Sequence, residues 1–191
     1  VALELYEINP NDPENGGNHN HKGFSVYVVN DTVWAGTANG INKGIIESDC
    51  INWEHHYTST WNKISGNWVI GFNNQILENG TERFWAITWA GEGSNEKHAL
   101  SYTDNGGEDW AITYPSGYSE KVYNLYSLEN RIWAASESGL YVSEDGKHWE
   151  KYSRSKDTLT GQEILSEAVL SVYYQDNWIW MGTIDGISII K

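Results

Sequence analysis

The sequence predicts an all-β protein made of repeated four-stranded antiparallel units, arranged as a β-propeller. Three observations carry that reading. First, one short pattern recurs four times: Val33-Trp34-Ala35-Gly36-Thr37, Phe84-Trp85-Ala86-Ile87-Thr88, Ile132-Trp133-Ala134-Ala135-Ser136 and Ile179-Trp180-Met181-Gly182-Thr183. Its Trp residues, at 34, 85, 133 and 180, stand 51, 48 and 47 positions apart, and a fixed period in this range marks a repeat architecture. Second, Trp (11), Tyr (12) and Gly (19) are plentiful, as suits short strands joined by tight turns. Third, no long segment spaces its apolar residues as a helix would, so helix should be scarce.

The third repeat is the clearest unit. Residues 122–128 read as a strand, Glu129-Asn130 as a turn, 131–136 as a second strand and Ser138-Gly139 as the next turn. Residues 140–143 form a third strand, and Asp145-Gly146 leads into a fourth at 148–152. Such a meander is a propeller blade. The first repeat reads as strands 24–30, 33–37, 41–47 and 52–57, and the second as 68–73, 83–89, 98–102 and 109–114. The fourth offers 169–175, 178–183 and 186–190. Its fourth strand is expected from Leu3-Glu4-Leu5-Tyr6, which resembles Trp149-Glu150-Lys151-Tyr152. The blades then span about 23–58, 67–115, 121–153, and 168–191 plus 1–9, in one domain. A closed four-bladed ring is the favoured arrangement. Part of a larger ring, or a homodimer forming an eight-bladed ring, are the alternatives.

The formal charge of −14 repels phosphate backbones and argues against nucleic-acid binding. Cys50 is the single cysteine, so no internal disulfide forms. No run of 18 apolar residues spans a membrane. With neither an initiator Met nor a signal peptide, the expectation is a trimmed product, located in the periplasm, at the cell surface or in the medium.

Three segments fall between third and fourth strands: Ser48-Asp49 with Trp53, Thr103-Asp104-Asn105-Gly106-Gly107 with Trp110, and Ser143-Glu144-Asp145-Gly146 with Trp149. They resemble the Asp-box, or bacterial neuraminidase repeat. The first departs from it, with Cys50-Ile51 where Gly is expected. Residues 179–187 are similar to the two-component-regulator propeller repeat. The resemblance implies a propeller, with a sensor domain or a sialidase-like glycosidase among its functions. In the box chemistry, Asp accepts backbone N–H groups across a turn, Gly supplies positive φ and Trp packs on the next blade. The aspartates are therefore expected to be structural.

A meander places first-to-second and third-to-fourth strand turns on one face. Second-to-third turns and blade connections lie on the other. All long segments (9–22, 59–67, 90–97, 115–120 and 153–166) fall on this second, loop face, and long loops on a rigid scaffold are where function concentrates. Trp61, Trp89 and Tyr118 lie in or beside these loops and are the candidate ligand-binding residues, as aromatic rings suit sugars and protein partners. The oxygen-rich loop 9–21 is a weak candidate for calcium. His19 with His21, or His55 with His56, are weak candidates for zinc. No cofactor is otherwise expected. A sialidase needs converging arginines, yet Arg83 and Arg131 occupy equivalent blade positions and only Arg154 remains. Glu92 and Glu96 lie on the loop face without marking themselves as a catalytic pair. The expected function is a non-catalytic extracellular module binding protein or glycan, as monomer or homodimer. A receptor sensor domain and a glycoside hydrolase are the alternatives.

Overall fold

The computed structural model describes residues 20, 22–60, 63–91, 93, 95–152 and 167–190. These residues contain no α-helix and fold into four antiparallel sheets. Blade one is β1 (Gly23–Val29), β2 (Thr32–Thr37), β3 (Gly40–Glu47) and β4 (Cys50–Tyr57). Blade two is β5 (Trp68–Ile76), β6 (Glu82–Trp89), β7 (Ala99–Thr103) and β8 (Ala111–Thr113). Blade three is β9 (Val122–Leu128), β10 (Arg131–Ser136), β11 (Gly139–Ser143) and β12 (Glu150–Tyr152). Blade four shows β13 (Val169–Gln175), β14 (Trp178–Thr183) and β15 (Gly186–Ile190). Each sheet runs in sequence order, as a meander requires. The N-terminal segment expected as its fourth strand lies outside the described residues. So does the 153–166 connection.

The repeats share one register. Tyr27 faces Trp34, Tyr126 faces Trp133 and Tyr173 faces Trp180 across the first strand pair of their blades. Because side chains alternate along a strand, each second strand turns its Trp toward the following blade and its small residues toward the preceding one. Trp34 stacks on Phe84 of blade two at 4.4 Å, inside a cluster with Ile41, Tyr57, Val69 and Ala86. Trp85, with Leu100 and Tyr102, meets Leu125, Ile132 and Ala134 of blade three. Trp133, with Leu140, meets Val169, Val172 and Met181 of blade four. A Trp buried this way removes about 150–250 Å² from water, or about 4–6 kcal/mol before entropy is counted.

The innermost strands β1, β5, β9 and β13 pack side by side in that order. Polar ties run between them: Ser25 Oγ donates to Val69 O (2.9 Å), Asn73 Nδ2 to Leu125 O (3.1 Å), and Val172 N to Asn124 Oδ1 (3.0 Å). The turn glycines serve this packing. Gly40 has φ +101°, and a Cβ there would meet Tyr57 O at 2.0 Å. Gly146, at φ +72°, lets the β11–β12 turn sit against the Trp85 ring, where a Cβ would lie 2.6 Å from its Cη2.

Among the described residues, blade four does not cover blade one. Trp34, Trp85 and Trp133 are 3%, 0% and 5% exposed, whereas Trp180 is 41% exposed. Among the described residues the four blades thus form an open arc with two uncovered end faces, not the closed ring favoured from the sequence.

Candidate functional site on the loop face

Trp89 ends β6 and is half-buried where blades two and three meet on the loop face. Its Nε1 donates to Val122 O at 2.8 Å. Tyr123 and His98 each stand edge-on to its ring, at 5.7 and 6.2 Å, and the Lys121 ammonium lies 5.1 Å from the ring centroid. Such a cation over a ring contributes about 0.5–1 kcal/mol at a wet site. His98 Nδ1 accepts from Ala90 N at 3.0 Å, which places its ring proton on Nε2 in the neutral form. Burial, followed by the Lys121 charge, pushes its pKa below the usual histidine value, against the opposing pull of Glu137.

The 115–120 connection docks on this cluster. His98 N donates to Ser119 Oγ at 3.0 Å. A tight turn from Tyr114 to Gly117 (Gly117 N to Tyr114 O, 2.9 Å) and the Ser116 hydroxyl hold the backbone of the next residue, Tyr118, which is 79% exposed. The structure thus brings Trp89 and the Tyr118 loop together through His98. Trp61 lies outside the described residues. The roles of His98, Lys121 and Tyr123 were missed at the sequence level. Their only signal is position, since each falls at a strand end on the loop face.

Glu96 is buried and committed to its own loops. It accepts from Gly91 N (2.6 Å), Asn67 N (3.0 Å) and Asn67 Nδ2 (2.8 Å). Three donors on one carboxylate make it a latch between the 59–67 and 90–97 segments. Glu92 lies outside the described residues.

The opposite face is built from turns. Thr103 Oγ1 accepts Gly107 N at 2.9 Å, and Asn105 Oδ1 accepts Asp109 N at 3.0 Å. Ser143 Oγ accepts Gly146 N, and Asp145 Oδ1 accepts the N–H groups of Lys147 and His148, each at 2.8 Å. Burial raises the Asp145 pKa, but the bonds from the His148 backbone and ring and from Lys147 N outweigh it and hold the carboxyl well below its usual range. Asp104 instead grips Arg83, while Arg131 pairs with Glu144 on the surface. The two arginines occupy equivalent positions in separate blades, and each is paired with a carboxylate. Arg154 lies outside the described residues.

His55 and His56 are neighbours on β4, so they point to opposite faces and cannot share one ion. His56 Nε2 lies 2.6 Å from Asn39 O. Among the described residues no group of three His, Cys, Asp or Glu side chains is placed to hold a metal. Residues 9–19 and 21, including His19 and His21, lie outside the described residues. No helix among the described residues is long and apolar enough to cross a membrane.

The architecture is that of a β-propeller-like domain. No protein-family profile matches the chain, and no curated protein matches it. Solved structures do. The chain is similar to the extracellular domain assigned to a hybrid two component system of B. thetaiotaomicron, with TM-score 0.64, 18% identity, and coverage of 87% of this chain and 21% of that one. It is also similar to an ancestral GH74 enzyme (TM-score 0.58, 14% identity, 88% and 22% covered). A third is PorZ, a bacterial surface component of the type-IX secretion system of Porphyromonas gingivalis (TM-score 0.58, 15% identity, 88% and 25% covered). The chain spans about a fifth to a quarter of the length of these proteins. The likeness is one of fold.

Proposed function

We propose that the chain is a non-catalytic binding module acting outside the cell, recognising a protein or carbohydrate through its loop face. One observation carries the reading: Tyr118 is held on a tight turn with its ring in solvent, beside the Trp89 cluster. The turn holds the backbone that carries this ring, and a Tyr side chain offers a large amphipathic contact area with few rotatable bonds. Of the two loop-face glutamates weighed for glycoside hydrolysis, Glu96 is saturated by backbone and amide donors, which favours binding. The Gly-containing turns of the other face serve their own backbone, as the Asp-box reading implies. Extracellular and surface proteins among the fold neighbours support an extracellular place.

A glycan array and a pull-down from extracellular material test this reading. The expected result is capture of a ligand by the native chain and its loss with Tyr118→Ala. Equal capture by both, or steady turnover of aryl-glycosides, would overturn it. The two-component neighbour favours one second reading, a sensor domain of a longer receptor. Under it the same face binds the signal.

A further inference from the structure

We propose that two copies of this chain join head to tail into an eight-bladed ring, the fourth blade of each packing on the first blade of the other. The inference rests on the fold and not on the binding reading. Every internal blade junction has two halves. The leading half consists of the repeat Trp and the first apolar residue of the third strand: Trp34 with Ile41, Trp133 with Leu140. The trailing half consists of an inner-strand apolar residue and a small or slender residue opposite it: Leu125 with Ala134, Val172 with Met181.

At the two ends of the arc each half stands alone. Ile187 occupies the register position of Ile41 and Leu140, which are fully buried, yet it is 76% exposed. Val26 occupies the position of Leu125 and Val172, 4% and 5% exposed, yet it is 69% exposed. Apolar patches of this kind mark interfaces. The free half on blade four is the leading half and the free half on blade one is the trailing half, so a second copy carries the complement of each. The contact between copies then continues the junction that the chain already builds three times.

Number decides how the pair closes. A heterologous contact gives a ring if the rotation closes and a filament if it does not. Propellers typically hold about 4–8 blades. Two copies, each with the four blades described, make eight, which lies within that range, and leave the end residues of neither copy uncovered.

Sedimentation equilibrium of the 191-residue chain at about 0.15 M salt tests this. The expected mass is twice 21.7 kDa. Both end residues are exposed in the single chain, so Val26→Asp and Ile187→Lys should each fold, with an unchanged circular dichroism spectrum. Each should weaken self-association by more than about a hundredfold, because the charge becomes buried at the junction. Mixing the two variants should restore the dimer. One junction is then native on both sides and the other sets the introduced Lys against the introduced Asp. A native chain of 21.7 kDa at tens of micromolar would overturn the proposal, as would open-ended growth of filaments. So would failure of the mixed variants to pair, which a face-to-face dimer would show.

Discussion

The Arg83 guanidinium closes two hydrogen bonds on the Asp104 carboxylate, Nε to Oδ1 at 2.6 Å and Nη2 to Oδ2 at 2.7 Å. It lies over the Tyr102 ring at 4.1 Å and sends a third bond, from Nη1, to Asp145 O of blade three. One side chain therefore locks the β7–β8 turn to the β11–β12 turn. Arg83 is 6% exposed at its side chain and Asp104 41%, so the two partners are not equivalent. Asp104→Ala strands a buried cation and should lower stability by about 3 kcal/mol. Arg83→Met leaves a carboxylate that water can reach, and should cost less. Urea denaturation of both variants gives the order.

Glu96→Ala removes the acceptor of three donors at once, from Gly91 and Asn67. A loss of about 2–3 kcal/mol is expected, the scale for stranding buried donors. Hydrogen exchange at the Gly91 and Asn67 amides should accelerate ahead of the blade cores. Unchanged protection at both amides would refute the latch.

Acidification should act first on the loop face. The folded-state pKa of His98 is below its unfolded value of 6.5. Its contribution to stability is therefore complete above 6.5 and is lost as pH falls through the folded value. Protonation also places a cation beside Lys121 and removes the acceptor of Ala90 N. Asp145, whose pKa lies below 3.8, contributes fully above 3.8 and loses that contribution only in stronger acid. NMR titration of the His98 and Ala90 signals should report the first event, and His98→Gln should abolish it while leaving the Asp145 event.

Tyr118 and Trp89 should separate binding from stability. Tyr118→Ala should change stability by less than about 0.5 kcal/mol, as surface changes usually do. Trp89→Ala empties a packed site and removes the bond to Val122 O, at about 3 kcal/mol or more. Thermal melts distinguish the two.

The period of the repeat Trp made the blade legible before any coordinates. All fifteen described strands fall where alternation and turn residues put them, most within two residues at either end. β5 is the widest departure, running to Ile76 where a stop at 73 was expected. The role of Asp145 was legible too, since an Asp before a turn Gly serves its own backbone. The open arc was not, because Trp180 sits in the same local pattern as Trp34, and only a neighbouring blade distinguishes them. Arg83 and Arg131 likewise read alike, yet one is buried against Tyr102 and the other is on the surface. The Trp89 cluster joins residues from two blades and a connection, and such meetings leave no spacing in a sequence.

The most direct measurement is a backbone-amide shift map of the chain with a ligand recovered from the array or pull-down. Binding through the loop face predicts the largest shifts at Trp89, His98, Tyr118 and Tyr123. Shifts centred on Gly106 and Gly146, with Tyr118 unmoved, would contradict it.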